Sequence, residues 1–463
     1  MANKHSMDLT TGPVFKRLLA FALPLCISNL LQQLYHSADV IVVGKFAENA
    51  TASLAAVGST GQITNLLLLM FVGLSVGANV ICANRVGSRD EEGFRRVIHT
   101  AMPLAFLSGL LLSVVGYFAT PTLLRWMGSP EDVIGQATVY MQIIFLGQPG
   151  SLVYNFGSGI IRARGDTKRP MYILVCTGLV NVLLNLVFVI VFKMEAAGVA
   201  LATIIAHYLS AIAILYVLFR KDGVYHMELS ELRVDLSETV GIARVGIPSG
   251  LNGMVYSISN VIIVSTVNSL GSLSVAATSA STSVSAIGHV VPAAIATACV
   301  SFVGQNYGAK NFKRIERVLW CGVAMGAAFM TVVSLAFTLF PEFFLGLYTD
   351  DERIIWEGYP KLLMNNWGFI LDTVNTVSTC CLRGMRYSSG PAVLNMAFVC
   401  GTRLIWTIFV FPHLPQTLGY LCIAYPVSWG LSAIAMLIYF YRVKKIEERK
   451  LSSPEESGGH AGE

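Results

Sequence analysis

Twelve stretches of this chain are apolar over about the length a membrane helix needs, and each ends in a short polar or charged run. They lie near 17–39, 52–80, 97–118, 133–158, 170–192, 197–219, 240–264, 273–301, 318–340, 354–380, 391–411 and 418–441. A hydrocarbon core ~30 Å thick is crossed by about 20 such residues in a helix. Open strands would leave backbone groups unpaired in lipid, so every stretch is read as a helix. The pattern therefore predicts an all-α polytopic membrane protein with twelve transmembrane helices.

The second half repeats the first at an offset of 221 positions. The shift carries Tyr35 onto Tyr256, Gly87 onto Gly308, Glu131 onto Glu352, Gly147 onto Gly368, Arg162 onto Arg383, Pro170 onto Pro391 and Gly198 onto Gly419. Leu124–Ile134 (LRWMGSPEDVI) lies on Leu345–Ile355 (LGLYTDDERII) without a gap. Six spans per half is an even number, so both halves enter the membrane the same way. Two six-helix lobes related by an axis along the membrane normal follow, with a cavity at their interface. The expected division is 1–219 for the first lobe, 220–243 for a solvated linker, 244–445 for the second lobe and 446–463 for a polar, disordered tail.

Composition agrees with this pattern. Hydrophobic residues make up 54% and charged residues 13%, whereas soluble chains carry about 25% charged residues. The net charge of +5 comes from short basic runs between apolar stretches, which is not a nucleic-acid footprint. Placing the N-terminus inside the cell puts 26 of the 32 lysines and arginines on the cytoplasmic side, so both termini are expected there. The first apolar stretch lacks a small-residue cleavage site after it and is expected to stay as a span. The nine cysteines are scattered without a CxxC, and Cys380 and Cys381 read as core filling.

Charged groups inside spans cost about 3 kcal/mol each and need a reason. Asp39 lies near the outer end of the first span. On its helix Gln32, Tyr35 and His36 share a polar stripe, a candidate wall of a substrate cavity. Asn181 and Asn185 are one turn apart in the fifth span, and Thr203 is near the outer end of the sixth. Depth along the helices brings Asp39, Asn185 and Thr203 to one level. One carboxylate among neutral oxygens suits a proton or a monovalent cation such as sodium, and has too few hard ligands for a divalent metal. Out of water, such an acid can exchange protons near neutral pH. The register equivalent of Asp39 is Asn260, which cannot ionise, so coupling is assigned to the first half. Asp372 and Arg403 reach similar depths, roughly 16 and 18 Å from the cytoplasmic side. They read as a mutually neutralising pair, structural or gating. Pro24 can kink the first span or serve as a hinge.

The segments LPLCISNLLQQLYHSADVIVVG, ANRVGSRD, GIIRARGDTKRP, NVLLN, GVALAT and CLRGMRYSSGP resemble the multidrug and toxic compound extrusion (MATE) family, in its bacterial damage-inducible (DinF-like) branch. The resemblance covers nearly all twelve spans. It implies two lobes around a V-shaped cavity in the bacterial inner membrane. It also implies export of cationic, amphiphilic small molecules in exchange for protons or sodium ions, without a bound cofactor. By the same resemblance Asp39 matches the acid of the first span, Pro24 its bending proline, and Asn181 and Thr203 the polar partners. Two positions depart from the family pattern. Asn185 stands where an aspartate is common, and His36 where an asparagine is. Losing that second carboxylate weakens a sodium site more than a proton site.

Other classes fit less well. A lipid-linked saccharide flippase would need several cavity cations, and the spans hold only Lys361 and Arg403. A membrane enzyme would need a metal or nucleophile cluster, and the eight histidines show no HxxxH or HExxH spacing. Arg162, Arg164, Gly165, Asp166, Lys168 and Arg169 join two membrane helices rather than a strand and a helix, so they suit anionic lipid better than a nucleotide phosphate. The expected partners are small-molecule drugs or toxic metabolites and membrane lipid, with the chain acting as a monomer.

Overall fold

The computed structural model describes residues 7–47, 49–126, 131–220, 225 and 227–452. The first lobe contains α1 (Val14–Phe46), α2 (Ala50–Gly87), α3 (Glu91–Trp126), α4 in two pieces (Glu131–Leu146 and Gln148–Ala163), α5 (Lys168–Leu186, extended by a π turn at Val187–Val191) and α6 (Glu195–Phe219). The second lobe contains α7 (Leu236–Ser269), α8 (Ser272–Gly308), α9 (Phe312–Leu339), α10 (Glu352–Gly384), α11 (Ser389–His413) and α12 (Leu418–Ser452). The fold is thus all-α, with twelve helices in two lobes.

Ten of the described helices are long and apolar enough to span a bilayer. The other two, α4 and α10, are register equivalents. α4 is interrupted at Gly147, where Pro149 opens the second piece and supplies no N–H to the turn before it. α10 is unbroken, but carries buried Lys361, Asn365, Asn366, Asp372 and Asn375. The lipid-facing surface is large and apolar while the packed faces use small residues, as expected where lipid removes the hydrophobic drive between helices. On α3, Phe106, Leu110, Leu111 and Phe118 face outward, while Ala101, Ala105, Ser108 and Gly109 are buried. A Cβ on Gly109 would come within 2.5 Å of Pro149 Cα, so α3 crosses α4 at its break.

The lobes meet at the face that carries both ends of the described chain. There α2 and α7 touch through glycine: a Cβ on Gly73 would fall 2.4 Å from Gly250 N, and one on Gly77 2.2 Å from Ile242 O. Asn84 donates to the carbonyls of Gly304 and Gly384 at 3.1 Å each, and Arg386 Nε donates to Asn84 Oδ1 at 2.7 Å. Residues 7–12 lie across this seam. Leu9 N donates to Gln305 Oε1 (3.0 Å), and Arg314 donates to the carbonyls of Leu9, Thr11 and Gly12. One buried apolar cluster contains residues of both lobes here, including Leu18, Phe21, Ile81, Phe302 and Phe440. Towards the opposite face the clusters separate. One around Val43, Met141 and Phe145 belongs to the first lobe, and those around Ile263 and Trp429 and around Leu345 and Leu362 belong to the second. The buried apolar core is thus shared between the lobes at the terminal face and separate in each lobe towards the opposite one.

Several helices overrun the apolar stretches. α2 and α8 continue to Gly87 and Gly308 because their polar last turns (Asn84 and Arg85; Gln305 and Asn306) find partners across the seam. α12 runs to Ser452, so 446–452 are helical rather than part of a disordered tail. Residues 453–463 lie outside the described residues. α7 starts at Leu236, inside the expected linker. Asp235 caps it by accepting from Ser237 N (2.8 Å) and Glu238 N (3.3 Å). The hydrogen bond from the Ser237 hydroxyl, with those amides, holds this exposed carboxyl below its ordinary range.

Candidate functional site

Asp39 is buried on α1, with 7% of its surface exposed. Its carboxylate accepts from Asn185 Nδ2 at 2.6 Å. The same amide donates to Asn181 Oδ1 (3.3 Å), and Asn181 Nδ2 donates to Thr203 Oγ1 (3.3 Å). Thr203 in turn donates to the Val199 carbonyl (2.9 Å). Helical spacing explains the set: Asn181 and Asn185 lie one turn apart on the face of α5 that meets α1 and α6. The π turn that begins at Val187 widens α5 just past Asn185, a device frequent at functional sites.

Among the described residues no lysine, arginine or histidine lies within ion-pair distance of Asp39. Asn185 Oδ1 is buried and accepts no hydrogen bond there. The arrangement offers a carboxylate and neutral amide and hydroxyl oxygens, which is chemistry for a proton or a monovalent cation. No group of three His, Cys, Asp or Glu side chains comes together among the described residues.

The rest of the polar stripe on α1 divides. Gln32 lines a small cavity of about 50 Å³ with Asn29, Asn155, Arg162 and Thr297, the last from the second lobe. Tyr35 is not on its wall. Its hydroxyl donates to the carbonyls of Leu174 (3.3 Å) and Val175 (3.4 Å), and its ring fills the space a Cβ on Gly178 would need. His36 is exposed. Pro24 is buried within α1, which stays helical from Val14 to Phe46; its carbonyl accepts from the Ser28 hydroxyl at 2.9 Å.

In the second lobe, Asp372 and Arg403 are both buried but do not pair, contrary to expectation. Asp372 meets His289 Nε2 at 3.2 Å and Tyr256 Oη at 3.5 Å. Arg403 donates to Ser428 Oγ (3.2 Å), Ser259 Oγ (3.1 Å) and Asn260 Oδ1 (3.0 Å), with its guanidinium over the rings of Tyr425 (4.5 Å) and Trp429 (5.3 Å). Equal depth fixes how far along a helix a residue lies, but not which way it points. No metal-ligand spacing marks His289 in the sequence. The 221-residue register already marked Tyr256.

The architecture and this polar interior define a multi-pass membrane protein with two packed lobes. The MatE family profile matches residues 24–187 and 248–409, one segment in each lobe, and the chain belongs to that family. It is 24% identical over 441 residues to "Probable multidrug resistance protein YoeA" of Bacillus subtilis (strain 168), covering 93% of this chain and 94% of that one. It is 33% identical over 311 residues to "Probable multidrug resistance protein YpnP" of the same organism, covering 66% of this chain and 68% of that one. A solved structure described as the outward-facing conformation of a multidrug resistance MATE family transporter superposes with a TM-score of 0.88 at 23% identity, covering 97% of this chain and 100% of that chain. The chain is therefore a small-molecule transporter of the MatE family.

Proposed function

We propose that this protein is a secondary antiporter that exports cationic, amphiphilic small molecules in exchange for protons, with Asp39 as the coupling acid. In this reading both termini face the cytoplasm, and the cleft between the lobes opens to the outside of the bacterial inner membrane. Buried Asp39, held by the Asn185 amide with no cation within ion-pair distance among the described residues, carries this reading. Such an acid has two stable occupied states, protonated or facing a bound cation, and the two compete. Asn185 supplies an amide where a second carboxylate would favour sodium, so the site suits a proton better. The names of the Bacillus relatives support drug-like cargo.

In this scheme a proton entering from outside neutralises Asp39, the cation leaves the cleft, and the seam at the terminal face opens in turn. Pro24 removes one backbone hydrogen bond of α1 and gives that helix a place to bend. The test is transport of a fluorescent organic cation by the reconstituted full-length protein, with proton and sodium gradients imposed separately. Proton-driven transport in the wild type, lost in Asp39→Asn, is expected. Undiminished proton dependence in Asp39→Asn would overturn the reading.

A further inference from the structure

Arg403 sits on α11 with 1% of its surface exposed, and its three described hydrogen bonds all go to uncharged oxygens. No carboxylate lies within ion-pair distance among the described residues, because Asp372 is turned towards His289 and Tyr256. The Nη2 group of Arg403 has no acceptor. Beside it Trp429, 5% exposed, carries an indole N–H that is also without an acceptor. Two unsatisfied buried donors thus accompany one uncompensated cation, with the guanidinium 5.3 Å from the Trp429 ring. Aromatic faces and hydroxyls solvate a guanidinium without neutralising it.

The backbone adds an independent sign. Two π turns, Met396–Gly401 and Trp406–Val410, flank the short α-helical piece Thr402–Ile405 that carries Arg403. Such turns widen a helix locally and recur at ligand sites. α5 shows the same device next to Asn185.

We propose that Arg403 and the Trp429 indole form a site for a singly charged anion in the second lobe, filled by chloride or by the carboxylate of a small organic molecule. The anion accepts from Nη2 and Nε1 and neutralises the guanidinium; Ser259, Asn260 and Ser428 hold the cation in place. The second lobe then has an anion site where the first has an acid. This assignment is independent of proton coupling.

The test uses purified full-length protein and its thermal unfolding midpoint, which a ligand of the folded state raises in a saturable way. Sodium gluconate, whose anion is bulkier than either test anion, is replaced stepwise by sodium chloride or sodium benzoate at constant ionic strength. Saturable stabilisation is expected in the wild type. In Arg403→Gln the half-saturating concentration should rise by about tenfold or more. Trp429→Phe, which keeps the ring, should show a smaller rise, and Arg403→Lys should retain part of the effect. A response to chloride identifies an inorganic anion, and a response to benzoate alone identifies a carboxylate. No saturable response in the wild type to either salt, or the same response in Arg403→Gln, overturns the assignment.

Discussion

The two lobes share a register but not a charge. In the first, α1 presents Asp39 to Asn185, and the surrounding polar groups are amides and hydroxyls. In the second, the equivalent position on α7 is Asn260, which accepts from Arg403 at 3.0 Å. An acid among neutral groups and a cation among neutral groups thus occupy related places in the two lobes. The duplicated tyrosines diverge as well. Tyr35 donates to backbone carbonyls of α5, whereas Tyr256 reaches Asp372 and accepts from Asn375 Nδ2 at 2.6 Å. Duplication preserved the helices, and the chemistry between them was reassigned.

The largest expected break in this comparison is Asp39→Asn, which should cut proton-driven uptake into proteoliposomes by about 100-fold or more, since removing an interaction worth a few kcal/mol has that scale. The matched change Asn260→Ala should leave proton dependence in place. Next comes Asn260→Asp, which gives Arg403 a carboxylate at hydrogen-bond distance. A gain of about 1–3 kcal/mol is expected, read as a higher unfolding midpoint. The same variant should lose its response to added anions. His289→Ala removes the 3.2 Å contact to buried Asp372 and should cost about 1–3 kcal/mol, because it leaves a carboxylate less well satisfied. The smallest effects separate the tyrosines. Tyr256→Phe should cost about 1 kcal/mol, and Tyr35→Phe less, because the carbonyls it meets are already engaged in their helix. Equal costs for the two would show that the hydroxyls play equivalent parts.

Helix number, lobe pairing and the polar set around Asp39 were legible in the sequence because they depend on length, register and i,i+4 spacing. Asn181 and Asn185 could be placed on one face from spacing alone, and Thr203 at their level from its distance to Gly198. Direction around a helix was not legible for isolated charges. Asp372 and Arg403 lie at matching depths yet turn to His289 and Asn260. Helix ends were also hidden: Asn84 and Gln305 look like loop residues by polarity, and become helical because a partner in the other lobe satisfies them. The interruption of α4 is signalled by Gly147 and Pro149, but the apolar residues on either side masked it.

The strap at residues 7–12 has a consequence for biogenesis. Leu9 leaves the ribosome well before the Gln305 side chain that receives its amide, 296 positions later. At about 5–20 residues per second, some 15–60 s of translation separate the two. During that interval the leading segment can dock only through Met7, whose amide donates to the Gly165 carbonyl at 3.1 Å, and the lobe seam cannot be completed until the ninth helix supplies Arg314. Assembly of this transporter must therefore finish by bringing an early segment against residues made much later.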